Sequence, residues 1–558
     1  MPHVHQSANR AGIPDPLRLA FSVHAEARRR GVPVAEAFGE SMEITRRART
    51  RRADEQGSSA RTPSRRQVLG AAGAMALAGA VPGGLLFPRG ASAATGAAAP
   101  RVVIVGAGLA GLRCAHHLWT RGNPVATTVY EADATRVGGR CWSLRGFFSG
   151  GAVHEHGGSF ISSTDTAILA LARDLGLRRE LANGGALNSG DYAAWIDGAS
   201  YPGTVQQDDW IAAAYDAFSA SYAAAGTARF DGYTPEAYRL DHLSCLDYLD
   251  EIGLAPGSRL GRLIRSLQLQ AGGEPGETSA LAMISFFGGS SVFAGGGFDE
   301  KYHLVGGNDQ LVTGMTRQLP AGAVRLGHEL IALRRGGDGS YTCVFDHDGS
   351  TVSVPADHVV LALPFSTLRD VDLSGAGLSP RKLTAIRQQG MGQNAKIVTE
   401  LSAKTWPRLG YNGISNTDPA GYQTAWDGSV ALGPAGSPAL LAGFPGGNTA
   451  RDTLTGAAHG PAPTADVDWF LSQVEHVYPG TRAAYTGRAY EDHWSRAPWQ
   501  RGAYQYYKTG QYTSIAGCEG LQEGRIHFAG EHTDVNDSTL NAAVSSGERV
   551  ANEISCQL

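Results

Sequence analysis

The stretch that most limits what this chain can fold into is RVVIVGAGLAGLRCAHHLWTRG, residues 101–122. Four consecutive apolar residues, Val102 to Val105, predict a strand. Gly106-x-Gly108-x-x-Gly111 follows, with Leu109 and Ala110 among the expected cofactor contacts, and then a helix. In this spacing the first glycine allows a tight turn, the second lets backbone approach a pyrophosphate, and the third lets helix and strand pack closely. The helix N-terminus offers N–H groups and the positive end of its dipole to phosphate. A second strand, in ATTVYEA, ends at Glu131, 20 residues past Gly111, with Ala132 after it. A carboxylate there accepts the ribose hydroxyls and disfavours a 2′-phosphate. The expected class is α/β, with a Rossmann-like dinucleotide site.

A chain of 558 residues is long enough for more than one domain. The formal net charge of −4 is unevenly spread: residues 1–93 carry 14 Lys+Arg against 7 Asp+Glu, which leaves −11 for the remainder. A body that acidic gives no reason to expect nucleic acid or an anionic membrane as a partner. The six cysteines, Cys114, Cys141, Cys245, Cys343, Cys518 and Cys556, show no CxxC spacing. Buried free thiols are therefore expected, rather than a zinc site or a disulfide framework, and no metal is implied. The 74 glycines follow no period, so no repeat architecture is indicated.

Between Gly70 and Leu86 the chain is apolar and built of small residues. Ser64-Arg65-Arg66 precede this run and Ala91-Ser92-Ala93 follow it. Basic, apolar and A-x-A regions in that order read as a secretory signal, too short and too rich in Gly and Ala for a stable membrane anchor. The paired arginines of SRRQVL resemble a twin-arginine signal, the route for proteins folded before export. An exported chain could thus collect a cytosolic cofactor first. About 60 residues precede the arginines, longer than an ordinary n-region; an upstream start and a cytosolic pre-segment both account for them.

Downstream lie Gly138-Gly139-Arg140 and then HEHGGSFI, with Glu155, Gly157, Gly158 and Ser159. Arg140 offers a fixed cationic fork for phosphate charge, and paired glycines allow close backbone approach. With these segments the sequence resembles the flavin-containing amine oxidase family of monoamine, polyamine and L-amino-acid oxidases, in which both segments close over FAD. The likeness continues through YHLVGGNDQLVTGMTRQL (Tyr302 to Leu319), VRLGHELIALRR, DHVVLALP and RIHFAGEHTDVNDSTLNAAVSSGERVANEI. It implies that the Leu330 backbone meets adenine, that Gly530 and Glu531 lie against the flavin, and that Leu540 contacts the cofactor ahead of or within a final helix. The implied fold is a Rossmann-like FAD domain built from residues 100–160, 300–365 and 515–558. A mixed α+β substrate domain, residues 161–299 and 366–514, completes it, preceded by the signal region 1–93.

The strand GMGQNAKIVTELS puts Lys396, Val398 and Glu400 on one face. By the resemblance, Lys396 holds a water at the flavin N5, where its charge stabilises reduced flavin and the water relays protons. In EDHWSRAPWQRGAYQYYKTGQY, Trp494 and Tyr504 would approach the flavin, with Tyr504 one wall of an aromatic cage. Trp499, Tyr506 and Tyr507 read better as core packing. Two departures stand out: Ala503 occupies the position at which some relatives carry a flavin-linked cysteine, and Thr539 replaces the second cage aromatic. No arginine follows the acidic-GG segment, which disfavours free α-amino acids. The expectation is noncovalent FAD and oxidation of a small-molecule amine by O2, giving carbonyl compound, ammonia or amine, and H2O2. An L-amino-acid oxidase, a flavin desaturase and a non-catalytic flavin protein are the rivals. Assembly is open between monomer and homodimer.

Overall fold

Five short strands from distant parts of the chain form one parallel sheet, in the order Ile526–Phe528, His358–Leu361, Val102–Val105, Thr127–Tyr130, Val324–Arg325. The computed structural model describes residues 100–121, 124–182, 190–288, 300–429, 438–535 and 539–558. Residues 1–93, with the expected signal, lie outside these.

The central strand shows why four apolar residues stand in a row. Val102 and Ile104 point into a core shared with the helix Leu109–Thr120, while Val103 and Val105 point into a second core on the opposite face. The helical face is closed by the last helix, Leu540–Ser555, which buries Val544, Val550, Ala551 and Ile554. Gly547 lets the two helices meet backbone to backbone, since a Cβ there would lie 2.4 Å from the Ala110 carbonyl oxygen. The other face is covered by an antiparallel meander, Glu329–Arg335, Tyr341–His347 and Ser350–Ala356, and Tyr130 stacks on Phe345 with ring centroids 4.4 Å apart. The segment VRLGHELIALRR is divided: Val324–Arg325 joins the parallel sheet, and Glu329–Arg335 starts the meander.

A separate eight-stranded sheet runs His459–Pro461, Tyr485–His493, Ala395–Leu401, Ala439–Gly443, Thr424–Asp427, Tyr411–Thr417, Asp191–Ile196, Ala199–Ser200. Ala395 and Ile397 pack under the helix Thr464–Val477 through Phe470 and Val474. Val398, Leu440, Ala442, Trp426 and Phe444 occupy the opposite face. Helices between residues 203 and 288 form an apolar cluster around Trp210, Phe218 and Phe287. Local signals start several of them: Thr234 caps a helix whose first residue is Pro235, and Ser244 and Asp247 make a reciprocal capping box. The mixed α/β class matches the expectation. Among the described residues no helix is long and apolar enough to cross a membrane.

Candidate active site

The turn after Val105 is built around glycine geometry. Gly106 has φ 102°, and a Cβ on it would stand 2.7 Å from the Ala362 carbonyl oxygen. Its N–H donates to the Tyr130 carbonyl at 2.7 Å, which pins the turn to the second strand. Gly108 is different: a Cβ there would meet no atom within 4 Å, so the glycine borders open space. That space is a long cavity into which the helix N-terminus turns its first, unpaired N–H groups. Glu131 lines it too, buried, with one carboxylate oxygen accepting the Ala107 N–H at 2.7 Å and the other the Asp133 N–H at 3.0 Å. Burial raises its pKa against the pull of those two amides.

Farther along, Nη1 of Arg140 pairs with Oε1 of Glu531 at 2.7 Å. The second oxygen of Glu531 and both ring nitrogens of His532 are buried without a hydrogen-bond partner. Burial presses the His532 imidazole down to about 3, so it is neutral. Unpaired buried polar atoms are rare and call for a ligand. Open space at Gly108, amides at a helix N-terminus, the Glu131 carboxylate and these orphaned atoms, all on one cavity wall, fit a dinucleotide carrying a polar ring system.

The other end is formed by one face of the eight-stranded sheet. Lys396 stands opposite Asp492 on one neighbouring strand, while Val398 stands opposite Ala442 on the other and Ala442 opposite Trp426. Register thus lays Lys396 beside Trp426, with Nζ 5.9 Å from the ring centroid. Nζ donates to the Glu155 carbonyl at 3.1 Å, to Ser159 Oγ at 2.8 Å and to the Gly157 carbonyl. Burial lowers the ammonium to about 8, with Asp492 and Glu155 opposing the fall. Trp494 is fixed by its indole N–H on the His156 carbonyl at 3.1 Å. Tyr504, Phe444, Trp426 and Phe160 follow one another along the wall, with successive centroids 6.3, 5.6 and 5.5 Å apart.

Of the residues picked out from the sequence, Gly106, Gly108, Leu109, Ala110, Glu131, Ala132, Gly139, Arg140, Gly157, Gly158, Ser159, Leu330, Gly530, Glu531 and Leu540 line this cavity at the nucleotide-binding segments, and Lys396, Trp494, Tyr504 and Thr539 beyond them, whereas Gly111 and Glu155 do not. Gly111, the third glycine of the motif, sits where helix meets strand. A Cβ there would fall 2.0 Å from the Gly106 carbonyl oxygen, so its service is packing. Thr539 is the N-cap of the last helix, its side chain accepting the Asn541 N–H at 3.1 Å. Trp499, read as core, also faces the cavity, whereas Tyr506 packs against Gly273 and Gly390. Phe160, Trp426 and Phe444 were missed; Phe160, one residue past the acidic-GG-Ser run, was the one within reach of sequence reasoning.

Residues 109–555 match the family described as flavin containing amine oxidoreductase. The flavin-dependent L-tryptophan oxidase RebO of Lentzea aerocolonigenes is 28% identical over 80% of this chain and 96% of its own length. Polyamine oxidase 1 of Oryza sativa subsp. japonica is 27% identical, covering 82% and 97%. A shorter match, 25% identical, takes in 45% of this chain and 52% of the putative L-amino-acid oxidase YobN of Bacillus subtilis. Among solved structures, cyclohexylamine oxidase from Brevibacterium oxydans IH-35A superposes with a TM-score of 0.69 at 20% identity, over 82% of this chain and 99% of that one.

Proposed function

The chain belongs to the flavin-containing amine oxidoreductase family and is an FAD-dependent amine oxidase; from that premise we propose that it oxidises amines lacking an α-carboxylate, with O2 as electron acceptor. The observation that carries the substrate class is the state of the cations on the cavity wall. Arg140 is paired with Glu531, and Arg501 with Asp370. Lys396 is held by two carbonyls and a hydroxyl. Residues 183–189, 289–299, 430–437 and 536–538 contain no Arg or Lys at all. Among the described residues on this wall no unpaired guanidinium stands ready for a carboxylate, which would give up water uncompensated on entering.

An amine carrying an apolar group suits the wall better. Phe160, Trp426, Phe444 and Tyr504 give it aromatic faces that exclude water and attract the amino end. The glycine turn, Glu131 and Arg140 would hold the FAD. When bound, FAD would supply the redox chemistry: two electrons and two protons leave the amine carbon and nitrogen for O2, so that amine, O2 and water become carbonyl compound, ammonia or a smaller amine, and H2O2. The protein's own share is orientation and charge. Trp494 and Tyr504 confine the amine, and Lys396 keeps a proton and a positive charge where electrons arrive.

The name of the rice relative supports an amine substrate, and that of RebO supports an amino acid. A panel of primary, cyclic and polyamines against L-amino acids, read by peroxide and ammonia release, separates them. Amines should turn over with kcat/KM at least about tenfold above any amino acid, roughly 1.4 kcal/mol in favour of the uncharged tail; an amino acid at the head of the ranking overturns the proposal. Export through the Arg65-Arg66 signal is proposed on the sequence alone. Arg65→Lys with Arg66→Lys should hold the protein in the cytosol, and undiminished secretion would refute it.

A further inference from the structure

Behind Lys396 three side chains close a buried cluster. Nδ1 of His156 lies 2.7 Å and Nδ1 of His459 lies 2.6 Å from the same oxygen, Oδ1 of Asp492. Two ligands of one metal ion, each about 2.0–2.2 Å from it, stand about 3 Å or more apart. The shorter spacing here is that of N–H···O bonds to a carboxylate, which assigns the proton of each ring to Nδ1. Asp492 is 1% exposed. Burial alone would raise its pKa, but the two histidines hold it below the usual carboxylate range, so it is ionised. A buried anion requires a countercharge, and the residue across the strand from it is Lys396.

We propose that Asp492, fixed by His156 and His459, is a positioning residue that keeps Lys396 protonated and in place at the reacting end of the cavity. The inference rests on the reading of that end as the site of amine oxidation. Two couplings carry it. The first is mechanical: His156 lies between Glu155 and Gly157, whose carbonyls accept from Lys396, and its own carbonyl accepts from Trp494. Anchoring the His156 ring therefore anchors the cradle of the lysine and the indole together.

The second coupling is electrostatic, and the groups around Lys396 single out Asp492. His154 is pressed down to about 3 by burial and then by Lys396 itself, and so is neutral. Glu155 is engaged elsewhere, accepting from His303 Nε2 at 2.7 Å, from Ser143 and from the Asn308 N–H. Against burial, Glu155 and Glu180 hold His303 up to about 9, so it answers the Glu155 charge. Arg136 faces the cluster across Trp142, which it covers at 4.1 Å while the indole stacks on His156 at 3.7 Å, and Asp492 comes last among the charges acting on it. His459 is 16% exposed at the rim. Asp492 is thus the first of the two carboxylates, ahead of Glu155, that hold the Lys396 charge up.

The chain has only five lysines, Lys301, Lys382, Lys396, Lys404 and Lys508, so holoenzyme grown on lysine labelled with 13C at Cε gives a readable NMR titration. The Lys396 signal, identified by its loss in Lys396→Met, should titrate near 8. In Asp492→Asn its midpoint should fall by about one unit or more, while Lys382, buried elsewhere and also near 8, stays still. Asp492→Glu should recover part of the shift. An unmoved Lys396 midpoint in Asp492→Asn that retains its FAD overturns the proposal. Should that variant not fold, Asp492→Ser removes the charge with a smaller polar side chain; the same fall is expected, and no fall overturns it. The titration reads the lysine without substrate, so it stands apart from any failure of the amine panel.

Discussion

Two glycines three residues apart do different work, and substitution should separate them. Gly108 has φ −70° and ψ 177°, open to any residue, and a Cβ there touches nothing in the protein. Gly108→Val should therefore fold with nearly unchanged Tm as apoprotein, yet purify colourless because the methyls occupy the cofactor's space. Gly111→Val forces a side chain into the Gly106 carbonyl and should cost several kcal/mol, seen as insoluble or much less stable protein. Equal flavin content in Gly108→Val and wild type would show that the cavity is not where FAD lies. Thr539 combines two duties in the same way. Thr539→Tyr removes the cap, at about 1 kcal/mol of stability, and fills space, lowering kcat/KM for bulky amines about tenfold or more relative to slim ones. Thr539→Ser keeps cap and space and should change neither; a ranking of amines indifferent to Tyr at 539 would remove the wide-pocket account.

At the scale of elements, the strand Ala395–Leu401 explains both what was legible and what was not. Its alternation put Lys396 and Val398 on one face, and the motif spacing put the glycines and Glu131 at one turn, because both patterns are local. Which residues meet Lys396 depends on strand order: Trp426 and Phe444 arrive from the strands Thr424–Asp427 and Ala439–Gly443 and their flanks, and Asp492 from Tyr485–His493. No spacing in the sequence encodes those neighbours, and the cluster of His156, His459 and Asp492 is invisible until three segments are folded together. The same strand, Tyr485–His493, turns Glu491 to the side opposite Asp492. There it accepts the Gly456 N–H at 3.1 Å beside Asp466, itself bound to Thr455 and Gly456 amides. Burial and the nearby Asp466 carboxylate push Glu491 up to about 8. Since the folded protein holds this proton where the unfolded chain releases it, stability is complete below the ordinary glutamate pKa and declines as pH rises toward 8. Glu491→Gln, which keeps a donor toward Asp466, should flatten Tm between about pH 5 and 8; a wild-type decline that persists in the variant would place its origin elsewhere.

Taken whole, the molecule closes around its cavity from segments spread along the chain: the first turn, the Arg140 and Gly157 segments, Leu330, the Lys396 strand, the Trp494–Tyr504 stretch and the start of the last helix all reach one wall. A ligand touching all of these stabilises the fold by linkage, by about 2.7 kcal/mol at a free concentration 100 times its Kd. The attachment should be reversible, because Ala503 has no thiol to offer the flavin. The sulfur that does reach the wall, Cys141, is buried, and burial pushes its thiol well above the ordinary range, which leaves it unreactive. Acid precipitation should therefore release yellow FAD into the supernatant. Protein stripped under milder conditions should melt a few degrees lower than holoprotein, by the size of that linkage spread over a chain this long, and recover its Tm in proportion to the FAD returned. If the flavin stays with the precipitated protein, the bond is covalent and a side chain other than residue 503 must form it. If it is released but Tm is the same with and without it, the segments are held by their own packing, and the orphaned Glu531 and His532 atoms are satisfied by water rather than by the cofactor.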